Sequence, residues 1–244
     1  KVLVTAADWP QREAFLSELR AALERAPSRL PYYPGSEDRY ARFEECAPGS
    51  ERLGAPSDGH LPWLLAIGLD PEDSDAHAFR NEAWCGVLAE TTLAAEGPAD
   101  FLAKATEFCN ETLFGTLSMS LVIDPRTQRS HATAYEAALR DLRYGSVVVN
   151  HWGAISYALV VTPWGAYPGH PLSDIQSGRG FVHNTRLFDR VQKAVVEGPF
   201  APRIEPLWFA GHKSALPAAK ALCSWESEPS PTKMPALIWN ALRP

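Results

Sequence analysis

The sequence predicts an α/β fold, a parallel sheet covered by helices and followed by an extended carboxyl-terminal tail. Two observations carry that prediction. Strand-type and helix-type periods alternate from Val87 to Asn150 with short joins. Such alternation is what a parallel sheet needs, because a tight turn cannot return the chain in the same direction and a helical crossover can. Beyond residue 198 the period fades and prolines multiply, as in a segment laid over a surface.

The elements follow in order. Lys1–Thr5 reads as a short strand, and Asp8-Trp9-Pro10 as a helix start with a capping carboxylate and a first-turn proline. Phe15, Leu16, Leu19, Ala22, Leu23 and Ala26 recur at helical spacing, predicting a helix over residues 10–26 that Pro27, Pro31 and Pro34 end. Residues 27–60 mix proline, glycine and charge without a period and read as a long surface excursion. Pro62–Leu69 is an apolar run, and Val87–Leu93 alternates as a strand does. Gly97-Pro98 opens a second helix whose buried face carries Phe101, Leu102, Ala105 and Phe108. Leu117–Ile123 reads as a strand, Ala132–Arg143 as a third helix stopped by a left-handed Gly145, and Ser146–Asn150 as a β-branched strand. The predicted division is residues 1–190 as an α/β segment and 191–244 as a strand plus a Pro- and aromatic-rich tail.

Composition excludes several functions. With 45% hydrophobic residues and 21% charged, a chain of 244 residues can bury a sizeable core. A net charge of −6 leaves no basic surplus to neutralise phosphates, which argues against nucleic acid. No stretch approaches the roughly 18 apolar residues of a membrane span. Cys46, Cys85, Cys109 and Cys223 form no Cys-x-x-Cys pair and suit a reducing cytoplasm. The chain opens without Met on a strand already in progress, so a segment of a longer chain is expected. Its seven histidines are never three to five apart, so no local zinc motif and no metal site is expected. Gly-x-Gly-x-x-Gly, Gly-x-x-x-x-Gly-Lys and Gly-x-Ser-x-Gly are all missing, and no complete catalytic set is found. The long aromatic segment 151–184, which follows a strand end where ligands gather in such sheets, is the place expected to carry function.

A constellation in fixed order remains: Asn81-Glu82-Ala83-Trp84-Cys85-Gly86-Val87-Leu88, a helix ending in Asn110, Leu113-Phe114-Gly115-Thr116-Leu117-Ser118, Gly145-Ser146-Val147-Val148-Val149-Asn150, Pro163-Trp164-Gly165 and Ser177-Gly178-Arg179-Gly180. Over residues 1–197 this order resembles the carboxyl-terminal half of the aldehyde dehydrogenase family. That family shows Glu-x-Phe-Gly-Pro-Val, a helix ending in Asn, Tyr-Gly-Leu, Gly-x-Val-x-Val-Asn, Pro-Phe-Gly-Gly and Ser-Gly-x-Gly. Trp84 stands for the Phe, Cys85-Gly86 for the Gly-Pro, and Ala166 for the second Gly, the marks of a divergent subfamily.

The resemblance implies a catalytic-domain fold and an NAD(P)-dependent oxidation of an aldehyde to the acid. It implies that Glu82 binds the nicotinamide-ribose hydroxyls of NAD or NADP and that Trp84 lies against the same ribose. It places Trp152 and Tyr157 in the walls of the aldehyde pocket. A solvated loop carboxylate, a core aromatic and ordinary loop packing are the competing readings of these residues. The family's nucleophile is a Cys a few residues ahead of a strand like Lys1–Thr5, and none of the four cysteines here fits it. The chain alone is therefore expected to be inactive, with a homo-oligomer, dimer or tetramer, expected of the full-length protein. In the family the last strand joins a neighbouring subunit's sheet, and Gln192–Glu197 is expected to do the same, with Trp208, Phe209, Trp225 and Trp239 wrapped against domain or partner. Competing functional readings are an inactive homologue kept for binding or assembly, and an unrelated parallel-sheet binding domain. Glu82 and Trp84 are expected at the rim of a cleft that also receives the 151–184 segment.

Overall fold

Apolar alternation drives the strands into place, and the computed structural model describes them together with the rest of residues 1–202, 206, 207, 209 and 212–243. Trp208 lies outside the described residues. β1 (Val2–Ala6) is followed by α1 (Arg12–Arg25), α2 (Ser36–Cys46), β2 (Glu51–Leu53), β3 (Trp63–Leu69), α3 (His77–Arg80), β4 (Val87–Leu93) and α4 (Pro98–Glu111). Then come β5 (Ser118–Leu121), α5 (Pro125–Ser130), α6 (Ala132–Asp141), β6 (Ser146–Val149), α7 (Ile155–Ala158), β7 (Trp164–Gly165), β8 (Phe181–Val182) and β9 (Ala194–Glu197). The tail holds α8 (Ala215–Ser227), a 3-10 turn (Pro231–Lys233) and α9 (Met234–Leu242).

The parallel, helix-covered plan holds, divided between two sheets. Among the described residues one sheet runs β1-β4-β3-β2, parallel except for β2, and the other runs β5-β6-β9, parallel throughout. β7 and β8 form a small antiparallel ribbon. Tyr40, Phe43, Leu64, Ala83 and Val87 pack α2 against the first sheet. Leu102, Ile123, Tyr135, Ala138 and Val149 pack α4 and α6 against the second. Among the described residues no helix is long and apolar enough to cross a membrane, and no three potential metal ligands cluster.

Several expectations need correction. Asp8 caps nothing: Asp8-Trp9-Pro10 is a turn, and α1 begins at Arg12 behind a Gln11 cap that makes no side-chain bond. Residues 27–60 are not an irregular excursion, since they hold α2 and β2. The buried stripe of α2 is narrow, with Ser36, Tyr40 and Phe43 the residues that face inward. Two large side chains among charges give a weak period, and packing against β3 supplies what propensity does not. Gly145 is not a left-handed stop: α6 ends at an extended Leu142, and Gly145 is absent from the positive-φ residues. Nor does the strand near 192–197 leave the chain, since β9 pairs in parallel with β6, Ser146 opposite Ala194. Finally, the tail is not extended but ends in the α8–α9 helical hairpin.

Candidate functional site

Glu82 and Trp84 lie in the loop that feeds β4. Two side chains of α2 hold that loop. Arg39 Nε donates to the Ala83 carbonyl at 3.0 Å, and Ser36 Oγ donates to the Trp84 carbonyl at 3.4 Å. Trp84 takes φ +54°, a region that costs a non-glycine residue of order 1 kcal/mol. The loop spends that energy to present an exposed indole, packed edge-on against Tyr33 with ring centroids 4.7 Å apart. Tyr33 in turn meets Tyr32 edge-on at 5.0 Å, and it borders a recess of about 400 Å³ at the start of α2, walled also by Ser36, Glu37 and Asp38. Glu82 is exposed, and among the described residues no hydrogen bond engages its carboxylate. The chain enters β1 beside it. The Lys1 α-amino group is lowered from its usual value by burial above all, and Glu82 and Cys85 act on it in the opposite sense.

Cys85 packs partly buried against the Tyr40–Phe43 core, and burial raises its thiol despite the nearby Arg39 cation. Cys109 is pushed up to about 12 by burial alone. Both stay protonated at neutral pH, and a thiol is a poor nucleophile beside a thiolate.

The second predicted pair lies in the segment that follows β6. Trp152 follows the carboxyl end of β6, and Tyr157 lies in α7, both exposed. Tyr157 meets Trp164 at 5.7 Å and His183 at 5.3 Å between ring centroids. Among the described residues the ring contacts given for Trp84 and for Tyr157 share no residue. Glu82 and Trp84 precede a strand whereas the 151–184 segment follows one, in the other sheet, so the strand-end rule does not by itself join them.

The remaining motif residues act on the backbone. A Cβ on Gly145 would lie 1.8 Å from the Gly165 carbonyl oxygen, and one on Gly165 would lie 2.2 Å from that of Gly180. Three motif segments far apart in sequence thus touch main chain to main chain, which only glycine permits. Ser177 Oγ accepts from the Thr116 N–H at 2.8 Å, binding the Ser-Gly-x-Gly segment to the start of β5. Asn150 Oδ1 accepts from the Ile123 N–H, and Asn110 Oδ1 from the Arg143 N–H, both at 2.8 Å.

Solved structures with this arrangement are aldehyde dehydrogenases. The salicylaldehyde dehydrogenase of Pseudomonas putida G7, complexed with salicylaldehyde, matches with a TM-score of 0.51 at 16% identity, over 74% of this chain and 36% of that one. The chain has an aldehyde dehydrogenase catalytic-domain fold. A 1-pyrroline-5-carboxylate dehydrogenase matches with a TM-score of 0.50 at 20% identity, over 68% of this chain and 31% of that one. The chain thus spans about a third of the length of these aldehyde dehydrogenases. No family model and no curated protein matches it.

Against the aldehyde dehydrogenase fold, sequence reasoning missed Tyr33, Ser36 and Arg39, which set the Trp84 loop. The available signal was the Ser36, Tyr40, Phe43 helical spacing, which places Arg39 one turn below Gly35.

Proposed function

We propose that this chain is the cofactor- and substrate-contacting part of an NAD(P)-dependent aldehyde dehydrogenase, which oxidises an aldehyde to the acid with a cysteine supplied by sequence outside residues 1–244. The observation that carries this reading is the entry of β1. β1 and β4 run parallel with Val2 opposite Ala89, so sequence leading into β1 would run alongside the loop that bears Trp84 and Glu82. The family's nucleophile lies a few residues ahead of such a strand, and that path would bring it to Glu82 and Trp84.

The residues present fit a nicotinamide ribose. An exposed carboxylate with no competing hydrogen bond among the described residues can accept from two adjacent hydroxyls, and charge-assisted bonds of this kind are the stronger ones. The indole of Trp84, held in place through its own carbonyl and that of Ala83, offers a flat apolar wall for the sugar and keeps water from it. The bound cofactor supplies the hydride acceptor. Trp152 and Tyr157 supply apolar surface for the aldehyde, while the protonated Cys85 is a packing residue. Cys85-Gly86 in place of Gly-Pro, and Ala166 in place of Gly, favour a second reading, an inactive homologue that keeps the fold for binding or assembly.

The test compares NAD(P)H production and cofactor affinity in the full-length protein and its Glu82→Gln variant. Loss of the charge-assisted bonds, about 1.5 kcal/mol, weakens cofactor binding by about tenfold. Cofactor binding with Glu82→Gln unchanged removes Glu82 from the site. Binding without NAD(P)H production from any aldehyde supports the inactive homologue. Residues 1–244 alone are expected to produce none.

A further inference from the structure

Ala83 sits between Glu82 and Trp84, and its carbonyl is gripped by a cation from another element. Arg39 of α2 donates to it through Nε at 3.0 Å. The same guanidinium donates through Nη2 to the Pro34 carbonyl at 2.9 Å and to Ser36 Oγ at 3.3 Å. One planar group thus ties the segment that ends in Tyr33 and Pro34 to the segment that holds Glu82 and Trp84. The rings of the two segments meet where they are tied, Tyr33 edge-on to Trp84 at 4.7 Å.

Proton accounting decides which side chain of α2 is the main hold. Ser36 Oγ lies 2.6 Å from the Tyr33 carbonyl and 3.4 Å from the Trp84 carbonyl, but a hydroxyl has one proton to share. The shorter contact is within the usual range for such a bond and the longer one is beyond it, so Tyr33 receives the larger part. Arg39 instead gives Ala83 a proton that no other acceptor takes, from a charged donor, which makes the stronger kind of bond. That hold has something to resist. Trp84 is at φ +54°, a conformation that a bulky residue keeps only where its surroundings over-determine it. Ala83, buried against Tyr40 and Phe43, is the fixed point from which Trp84 is turned.

We propose that Arg39 is a positioning residue for the cofactor's ribose site, acting through the backbone of Ala83 to fix the angle at which the Trp84 indole and the Glu82 carboxylate meet the sugar. This role rests on the dehydrogenase reading above. It has a kinetic signature. A loop released from Arg39 samples other conformations, and apparent affinity falls in proportion to the fraction still correctly placed. With about a tenth of the molecules correctly placed, KM for NAD(P) rises about tenfold. Saturating cofactor draws the loop back into place, so kcat is retained.

The test uses the full-length protein labelled with fluorotryptophan, with the Trp84 fluorine signal identified by its loss in Trp84→Phe. In Arg39→Met the Trp84 signal broadens or moves, KM for NAD(P) rises about tenfold, and kcat stays within about twofold. Arg42→Met, which removes another cation of α2 that pairs with the exposed Glu45, changes neither signal nor KM. Arg39→Lys keeps the charge and the packing stem but not the planar fork, so it shows the same effects to a lesser degree, and it serves where the Met variant does not fold. An unchanged Trp84 signal in the Arg39 variants overturns the proposal whatever the protein binds. So does a moved signal with unchanged KM, and so does a kcat that falls as far as kcat/KM. Unaltered protein that binds neither NAD nor NADP refutes the dehydrogenase reading itself, and this role with it.

Discussion

Glu90 offers the sharpest test of how the first sheet is held. It is fully buried in the middle of β4, and its carboxylate collects donors from three elements. Thr5 Oγ1 of β1 donates at 2.6 Å, and Arg12 of α1 donates through Nε at 3.1 Å and through Nη2 at 2.8 and 2.9 Å. Gly68 of β3 donates its N–H at 3.1 Å from a bulge where φ is +78°, which turns that N–H out of the ladder. Glu90→Leu leaves a guanidinium whose side chain is 16% exposed without its partner, and two further donors without an acceptor. Removing one member of a buried pair costs about 3–5 kcal/mol. Arg12 keeps a 2.7 Å bond to the exposed Glu13 and some access to water, so the lower end applies, about 3 kcal/mol. Replacing both charges, Arg12→Met with Glu90→Leu, removes the stranded cation and costs about 1 kcal/mol, because well-packed apolar pairs substitute for buried ion pairs nearly neutrally. Urea unfolding of the single and double variants at unchanged m-value measures the coupling. A loss under about 0.5 kcal/mol for Glu90→Leu would refute the reasoning, as would a double variant as unstable as the two singles summed.

Two further outcomes follow from the packing and the ion pairs. Gly145→Ala places a methyl 1.8 Å from the Gly165 oxygen, so main chain must move and the cost is about 3 kcal/mol or more; Gly178→Ala, at φ +122° with open space around it, strains its own backbone but displaces no neighbour, and thermal melts should separate the two defects by the loss of β7–β8 packing in the first alone. Glu51 is held below the usual carboxylate value by hydrogen bonds from Arg20, so its contribution is present above about pH 4.3 and is lost as pH falls through its lower folded value. Glu51→Gln should flatten the acid limb of the stability curve, and an unchanged limb would show that the α1–β2 pair contributes nothing.

Much of the fold was legible because its signals are local. The stripes of α1, α4 and α6 and the β-branched runs of β4 and β6 carry their period within a dozen residues, and the structure keeps each within a few residues of its expected range. Asp124-Pro125 is an equally local signal, since Asp124 Oδ1 accepts from the Arg126 N–H and caps the short helix α5. The candidate site was legible only as residue identities. Glu82 and Trp84 stood out through a motif, but the Tyr33 ring beside Trp84 and the Arg39 bond to Ala83 bridge 51 and 44 residues and leave no mark on a local window.

What the sequence by itself determined is the order of strands and helices, their inward faces and the motif glycines, since each depends on neighbours one or two turns away. The tertiary structure alone decided four things. It split the strands between two sheets, it set β9 beside β6, and it revealed that Gly145 is a contact point rather than a helix stop. It also turned the proline-rich tail into a hairpin, because α9 is apolar on both sides and so has no period to read. The reason is common to all four: hydrogen-bond partners across a sheet and main chain touching main chain are chosen by which surfaces meet, and surfaces distant in sequence meet only in the folded chain.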